Sequence, residues 1–145
     1  MTHQEKAMKV FSERTNCAQA VFSGFADELG ISVEQAQSVA MCFAGGMRKG
    51  EVCGAVSGAI MVLGMKYANA GEDYAASRAI AFQKASEFMD RFREANGSYI
   101  CKDILGCDIS TPEGMEHARN NDYFKTICPK MVESAVKILE EMEQI

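Results

Sequence analysis

Val52-Cys53-Gly54-Ala55-Val56-Ser57-Gly58-Ala59-Ile60-Met61-Val62-Leu63-Gly64-Met65 is a run of fourteen uncharged, mostly apolar residues. It falls short of the roughly 20 residues that cross a bilayer, so it reads as a helix buried at the centre of a soluble protein. Gly50, Gly54 and Gly58 recur every four residues, with Ala55 and Ala59 beside two of them. One face of that helix is therefore nearly bare of side chains, and a second helix can come close to it. Tight packing inside the chain is a sufficient reason for these glycines; a homodimer through the Gly54 and Gly58 face is the other use they suggest.

Working outward, helical signals flank the run on both sides. Thr2 with Glu5, and Ser32 with Gln35, have the spacing of capping boxes, and Asn16 or Thr15 is placed to cap a helix that carries Ala18, Val21, Phe25 and Leu29 to Gly30. A stripe of Val33, Ala36, Val39, Ala40 and Phe43 ends at Gly45-Gly46. Beyond the central run, Asp73 to Ala95 is the longest helical pattern, expected to bury Ala75, Ala79, Phe82, Met89 and Phe92 and to expose a Glu87 to Arg91 pair. Gly97 stops it, and Ser98 is placed to cap a short helix reaching Leu105. Ser110 or Thr111 with Pro112, and Cys128 with Pro129, open the last two, the final one with Val132, Ala135, Val136 and Leu139 inward.

Composition agrees with this reading. The chain has 145 residues, 48% hydrophobic and 24% charged, which suits one compact domain over residues 1–145 and excludes a disordered or collagen-like chain. It has no Trp, two Pro and ten Met, a mixture that favours helices packed through flexible side chains. The expected fold is all-α, a bundle of about five to seven helices around the buried glycine-rich one. Fifteen basic against twenty acidic residues leave a net charge of −5, which disfavours nucleic acid and anionic lipid as partners. Met1 to Lys9 lacks the apolar core of a signal peptide, so a cytoplasmic protein without membrane insertion is expected.

Six cysteines are many for such a chain. In a reducing compartment they point away from structural disulfides and towards metal ligation, redox chemistry or plain burial. Four of them, Cys17, Cys53, Cys101 and Cys128, fall at or within the first turn of an expected helix, where free N–H groups and the helix dipole favour thiolate. If those helix starts converge, four thiolates need a cation, and a Zn²⁺ ion or an iron–sulfur cluster suits soft sulfur ligands. The dispersed spacing, with no C-x-x-C pair, leaves burial and disulfide exchange open beside the metal reading. The absence of C-x-x-C-H argues against attached haem. Cys42, near a helix C-terminus, is expected to be buried.

The residues together carry a resemblance. Asn16-Cys17-Ala18-Gln19-Ala20, Gly45-Gly46-Met47 leading into Gly50-Glu51-Val52-Cys53-Gly54-Ala55-Val56-Ser57-Gly58-Ala59, Cys101 before Leu105-Gly106, and Cys128-Pro129 resemble the C_GCAxxG_C_C family of redox-active proteins. The alignment is on the cysteine, since the family label writes Gly before Cys where this chain reads Cys53-Gly54. The resemblance implies a small helical protein whose signature cysteines are Cys17, Cys53, Cys101 and Cys128. It is also similar to the non-haem part of split-Soret cytochromes, which implies an iron–sulfur centre, for instance [2Fe-2S], held by those cysteines, and no haem. Cys42 and Cys107 lie outside the signature, with Cys107 close enough to Cys101 to replace it as ligand or to act as a resolving thiol.

The expected function is thus a cytoplasmic redox protein that uses four helix-start cysteines to hold an iron–sulfur cluster, for electron transfer with a partner redox protein or for redox sensing. The alternatives are a non-enzymatic helical module with structural zinc or buried cysteines, and a metal-free thiol–disulfide protein. Gly45 to Glu51 has the spacing of a phosphate loop but lacks its lysine and its preceding strand. It reads instead as an ordinary solvated turn, or as a lid beside Cys53 with Arg48 and Lys49 attracting anionic groups. His117 and His3 read as surface residues, and Glu51 as a first-turn carboxylate.

Overall fold

The computed structural model describes residues 1–143. Ten α-helical segments follow in order: α1 His3–Arg14, α2 Cys17–Gly24, α3 Ala26–Leu29, α4 Val33–Ala40, α5 Gly54–Tyr67, α6 Tyr74–Asn96, α7 Cys101–Leu105, α8 Pro112–Asn120, α9 Tyr123–Thr126 and α10 Cys128–Glu143. Seven have eight residues or more, at the upper end of the expected count. Among the described residues the β contribution is an isolated antiparallel bridge between Val52 and Ile100. The fold is all-α, as the sequence predicts, and no helix among the described residues is long and apolar enough to cross a membrane.

Local chemistry explains the boundaries. Both capping boxes form, with the Thr2 and Ser32 hydroxyls accepting from the Glu5 and Gln35 N–H groups at 3.0 Å. Asn16 caps α2, Asp73 caps α6 and Thr111 caps α8 ahead of Pro112. Gly30, Gly97 and Gly106 end their helices in the left-handed conformation. The helix expected to run unbroken to Gly30 bends at Phe25, whose ring stacks on the His3 imidazole at 4.0 Å. Ser98 does not cap α7; its hydroxyl accepts from the Ile100 N–H at 3.0 Å, one residue before the helix.

α2 and α5 occupy the centre. α1 packs on α2, α6 on α5, and α10 touches α1, α2, α5 and α6, while α4 closes over α2. The glycine face of α5 is taken up by α2: a Cβ on Gly54 would stand 3.1 Å from the Ala18 nitrogen, and one on Gly58 would stand 2.7 Å from the Ala18 carbonyl oxygen. That face is therefore covered within the chain and is not a homodimer surface. Gly50 lies outside the helix, at φ 67°.

The long helix α6 corrects the expected register. Phe88 and Phe92 are buried against the bundle, each contributing roughly 1.5–3 kcal/mol through burial, but Ala75 and Ala79 are exposed and Phe82 is 60% exposed with the Arg78 guanidinium 4.5 Å above its ring. Val33 and Val39 of the α4 stripe also face solvent, leaving Ala36 and Ala40 to pack inward. A second, smaller apolar cluster gathers Cys101, Leu105, Ile109 and Ala118 from α7, α8 and the loop between them. Cys128 packs against both clusters and so marks the seam between them.

Candidate functional site: a four-cysteine cavity

The seam encloses a cavity of about 70 Å³, and Cys17, Cys53, Cys101 and Cys128 all line it. The positions are those the sequence predicts, at the first residues of α2, α7 and α10 and immediately before α5. The remaining wall is largely apolar, with Phe11, Leu105, Ile109, Phe124 and Met131 among its residues. Arg48 brings a cation to it. Organic cofactors occupy pockets of roughly 300–1,000 Å³, so this volume suits a few waters or a small inorganic group.

Each cysteine is held by a distinct local device. Asn16, buried, accepts from the Gln19 N–H at 2.9 Å and donates to the Met41 carbonyl at 3.0 Å, while Gln19 reaches the Gln37 carbonyl at 2.8 Å. These bonds fasten the first turn of α2, and Cys17 with it, to α4 and the turn that follows. Cys53 and Cys101 are fixed as a pair. The Cys53 N–H donates to the Tyr99 carbonyl at 2.8 Å, and the Cys101 N–H donates to the Glu51 carbonyl at 2.6 Å, on either side of the Val52–Ile100 bridge. Two helix entries 48 positions apart in sequence are thereby zipped together.

The segment before Cys53 has unusual backbone. Gly45, Gly46, Met47 and Arg48 are all left-handed, with φ of 65°, 62°, 58° and 65°. For Met47 and Arg48 this conformation costs energy, because Cβ crowds the following carbonyl. The turn is closed by the Glu51 N–H donating to the Gly46 carbonyl at 3.1 Å. It also folds Arg48 back: a Cβ on Gly45 would lie 2.8 Å from the guanidinium Nη1. The turn thus places Arg48 at the cysteine cavity, while Lys49 and Glu51 stay exposed and Glu51 sits 3.7 Å from the Lys102 ammonium.

The thiols are not equivalent. Hydrogen bonding with the Cys128 thiol first, then burial, then the nearby Cys53, Cys128 and Cys101 hold the Cys17 thiol well above the ordinary range. The same hydrogen bond lowers Cys128, aided by its own backbone N–H, against the opposing effect of burial. Burial pushes Cys53 up to about 11, despite the helix N–H groups of Ala55 and Val56, which pull the other way. Cys101 is pushed up to about 12 by burial first and then by Cys53 and Cys128. The expectation that a helix start favours thiolate fails at Cys17, Cys53 and Cys101, where the neighbouring thiols and burial exceed the helix-end field, and at Cys128 the lowering comes first from Cys17, with the backbone N–H a lesser aid.

Two cysteines stand apart. Cys42 lies in the 3₁₀ turn Met41–Phe43 and is exposed, correcting its expected burial: α4 ends at Ala40, and the tighter turn that follows points residue 42 outward. Cys107 is partly exposed and outside the cavity wall, though near enough to raise Cys101. Among the described residues no group of three or more His, Cys, Asp or Glu side chains is gathered tightly enough to hold a single metal ion. His117 is on the surface, edge-on to Tyr123 at 5.6 Å. His3 is less peripheral than its position suggests, with its ring nitrogens 3.3 Å from Glu28 and 2.9 Å from Glu140.

Fold and site together define a class: a small all-α protein that brings four helix-start cysteines to one apolar cavity. The chain belongs to the family described as "Putative redox-active protein (C_GCAxxG_C_C)", which residues 15–142 match. No curated protein and no solved structure matches the chain.

Proposed function

We propose that this redox-active family member works through an iron–sulfur cluster held by Cys17, Cys53, Cys101 and Cys128, serving electron transfer with a partner redox protein or redox sensing in the cytoplasm. The observation that carries the reading is that four cysteines from four separate helix starts line one small, apolar cavity. The donor set fits the group: soft sulfur ligands suit iron–sulfur chemistry, and the raised thiols of Cys17, Cys53 and Cys101 are what cation-free sulfur ligands crowded together in apolar surroundings should show. A cluster also suits the looser spacing better than zinc does. Zinc draws every sulfur to about 2.3 Å from one point, whereas a cluster sets its own iron and sulfide between the ligands.

When bound, such a cluster supplies one-electron chemistry at a potential set by its charge, hydrogen bonds and exposure. The chain's contribution is to exclude water with Phe11, Leu105, Ile109 and Phe124, and to hold positive charge at the site through Arg48. The backbone bonds at Cys53 and Cys101 fix two ligands before any metal arrives. The deciding experiment is purification without oxygen, followed by reconstitution with iron and sulfide. Visible charge-transfer absorption with stoichiometric iron and acid-labile sulfide is expected. A colourless protein that takes up neither under both conditions overturns the reading.

A further inference from the structure

The wall of the four-cysteine cavity and the residues directly beside it in sequence carry six of the chain's fifteen Lys and Arg but three of its twenty Asp and Glu. On a chain of net charge −5 the surroundings of the cavity are therefore basic. Arg14, Arg48, Lys49 and Lys125 of that set are exposed, and among the described residues none of them is in an ion pair. By contrast Lys6, Lys66, Arg91, Arg93 and Lys137, away from the wall in sequence, are each paired with a carboxylate. Two acids beside the Gly45 to Glu51 turn gather at Lys102: Glu51 is 3.7 Å from its ammonium, and a Cβ on Gly50 would lie 2.6 Å from the Lys102 Cγ and 3.1 Å from the Asp108 Oδ1. Arg48 and Lys49 stay unpaired at the tip of the turn. That tip is held firmly, by the Glu51 N–H bond to the Gly46 carbonyl and by the Val52–Ile100 bridge. Met47 and Arg48 keep left-handed backbone there, and since Met47 is 44% exposed, burial of its side chain does not offset the strain.

We propose that the Met47-Arg48-Lys49 tip, with Arg14 and Lys125 beside the same cavity, is the docking surface for an acidic redox protein. The docking itself stands on charge and exposure; that it serves electron transfer rests on the cluster reading, with one electron leaving the partner's reduced centre and one gained at the cavity. Charge complementarity selects the partner's chemistry. The acidic remainder of the chain repels a negatively charged protein while the basic surroundings of the cavity attract it, so encounters are steered to the face nearest the cysteines. Met and Arg are residue types enriched at protein interfaces, and electron-transfer encounters use small ones, below about 1,200 Å², which a projecting tip and its basic surroundings can supply.

The test uses the full chain, metal-free, reduced and isotope-labelled, titrated at low ionic strength with an acidic plant-type ferredoxin. Amide shifts are expected at Gly45 to Glu51, around Thr15 and around Phe124, and binding should weaken steeply as salt rises. Arg48→Glu with Lys49→Glu should weaken binding by about tenfold or more. Lys9→Glu with Arg78→Glu changes the net charge equally at exposed positions outside the wall, and should weaken it by less than about threefold. Amide spectra without ferredoxin check that both variants fold, and the shift map and salt dependence of unmutated protein stand in either case. Equal weakening in the two variants, shifts that miss the turn, or no binding at low salt overturns the proposal. Saturable shifts of the turn by inorganic phosphate that ferredoxin does not displace assign the surface to a small anion and overturn it as well. Reduced ferredoxin is then mixed with protein reconstituted with iron and sulfide. Oxidation of ferredoxin that slows about tenfold in Arg48→Glu with Lys49→Glu supports the electron route, and equal rates overturn it. Failure of every form to load iron sinks the cluster reading, while docking mapped on the metal-free protein stands.

Discussion

Gly58 lies so close to Ala18 that a Cβ on the glycine would stand 2.7 Å from the alanine carbonyl oxygen and 3.2 Å from its Cα. The neighbouring atoms are backbone, so the strain has no flexible side chain to absorb it. One turn earlier, Gly54 brings α5 within van der Waals reach of the Cys17 Cβ, at 3.3 Å from where its own would be. The glycine spacing is therefore a condition of the site, since it lets Cys17 and Cys53 face one cavity. Gly58→Ala should lower stability by about 1–3 kcal/mol despite alanine's better helix propensity. Gly64→Ala, on the same helix with nothing within 4 Å, should raise stability by about 0.5–1 kcal/mol. Urea midpoints of the two variants should move in opposite directions.

The left-handed turn makes a second pair of opposite expectations. Met47, at φ 58°, is exposed, so Met47→Gly should relieve backbone strain with little lost packing and stabilise by up to about 1 kcal/mol. Gly46→Ala should destabilise by about 1–3 kcal/mol, because φ is 62° and the added carbon would overlap the Glu51 backbone. Thermal unfolding of both variants distinguishes a strained but native turn from an indifferent one.

The thiol shifts give the metal-free protein a pH dependence with a definite sign. Cys53 and Cys101 ionise at about 11 and about 12 in the fold, above the ordinary thiol value of 9.0. Between those values the unfolded chain releases its protons first, so it binds fewer protons than the native state and stability falls as pH rises. The contribution of these two thiols is fully present below pH 9.0 and is lost as pH rises through about 11 to 12. Cys128, lowered in the fold, has the opposite sign: its contribution is present above the ordinary thiol value and is lost as pH falls through its folded value. Urea midpoints measured from neutral pH upward should decline over the alkaline window. Cys53→Ala with Cys101→Ala should flatten that decline.

What the sequence made legible was local. The capping boxes at Thr2 and Ser32, Asn16 before Cys17, and Pro129 after Cys128 place helix starts through contacts three or four residues long, and Cys17 and Cys128 were placed with them. The register of α6 was not legible, because only part of this 23-residue helix is covered by the bundle and Phe82 lies where the Arg78 guanidinium, not the core, packs on its ring. Nor was the bridge between Val52 and Ile100, which joins distant segments; β-branched and aromatic residues at the two helix entries, Val52 and Tyr99-Ile100, were the only trace of it. The failure of the dipole argument at Cys17, Cys53 and Cys101 has the same origin. A helix end is a local feature, whereas desolvation depends on which distant residues close over the sulfur.

The sharpest comparison sets Cys53 against Cys42. Cys53→Ser puts a near-isosteric hydroxyl into a buried position, 6% exposed, at a cost of about 1–3 kcal/mol for an unpartnered polar group. As a ligand, a protonated oxygen is far poorer than thiolate for iron or zinc, so iron and sulfide content should drop sharply. Cys42 is exposed and absent from the cavity wall, so Cys42→Ser should change stability by less than about 0.5 kcal/mol and keep the full cofactor content. Cys107→Ser belongs with Cys42→Ser, since Cys107 also lies outside the wall. Helical circular dichroism should be nearly the same in all three, leaving metal and sulfide content as the quantity that separates them. Equal retention across the three would make Cys53 structural, and loss in Cys107→Ser would mean that Cys107 belongs in the ligand set.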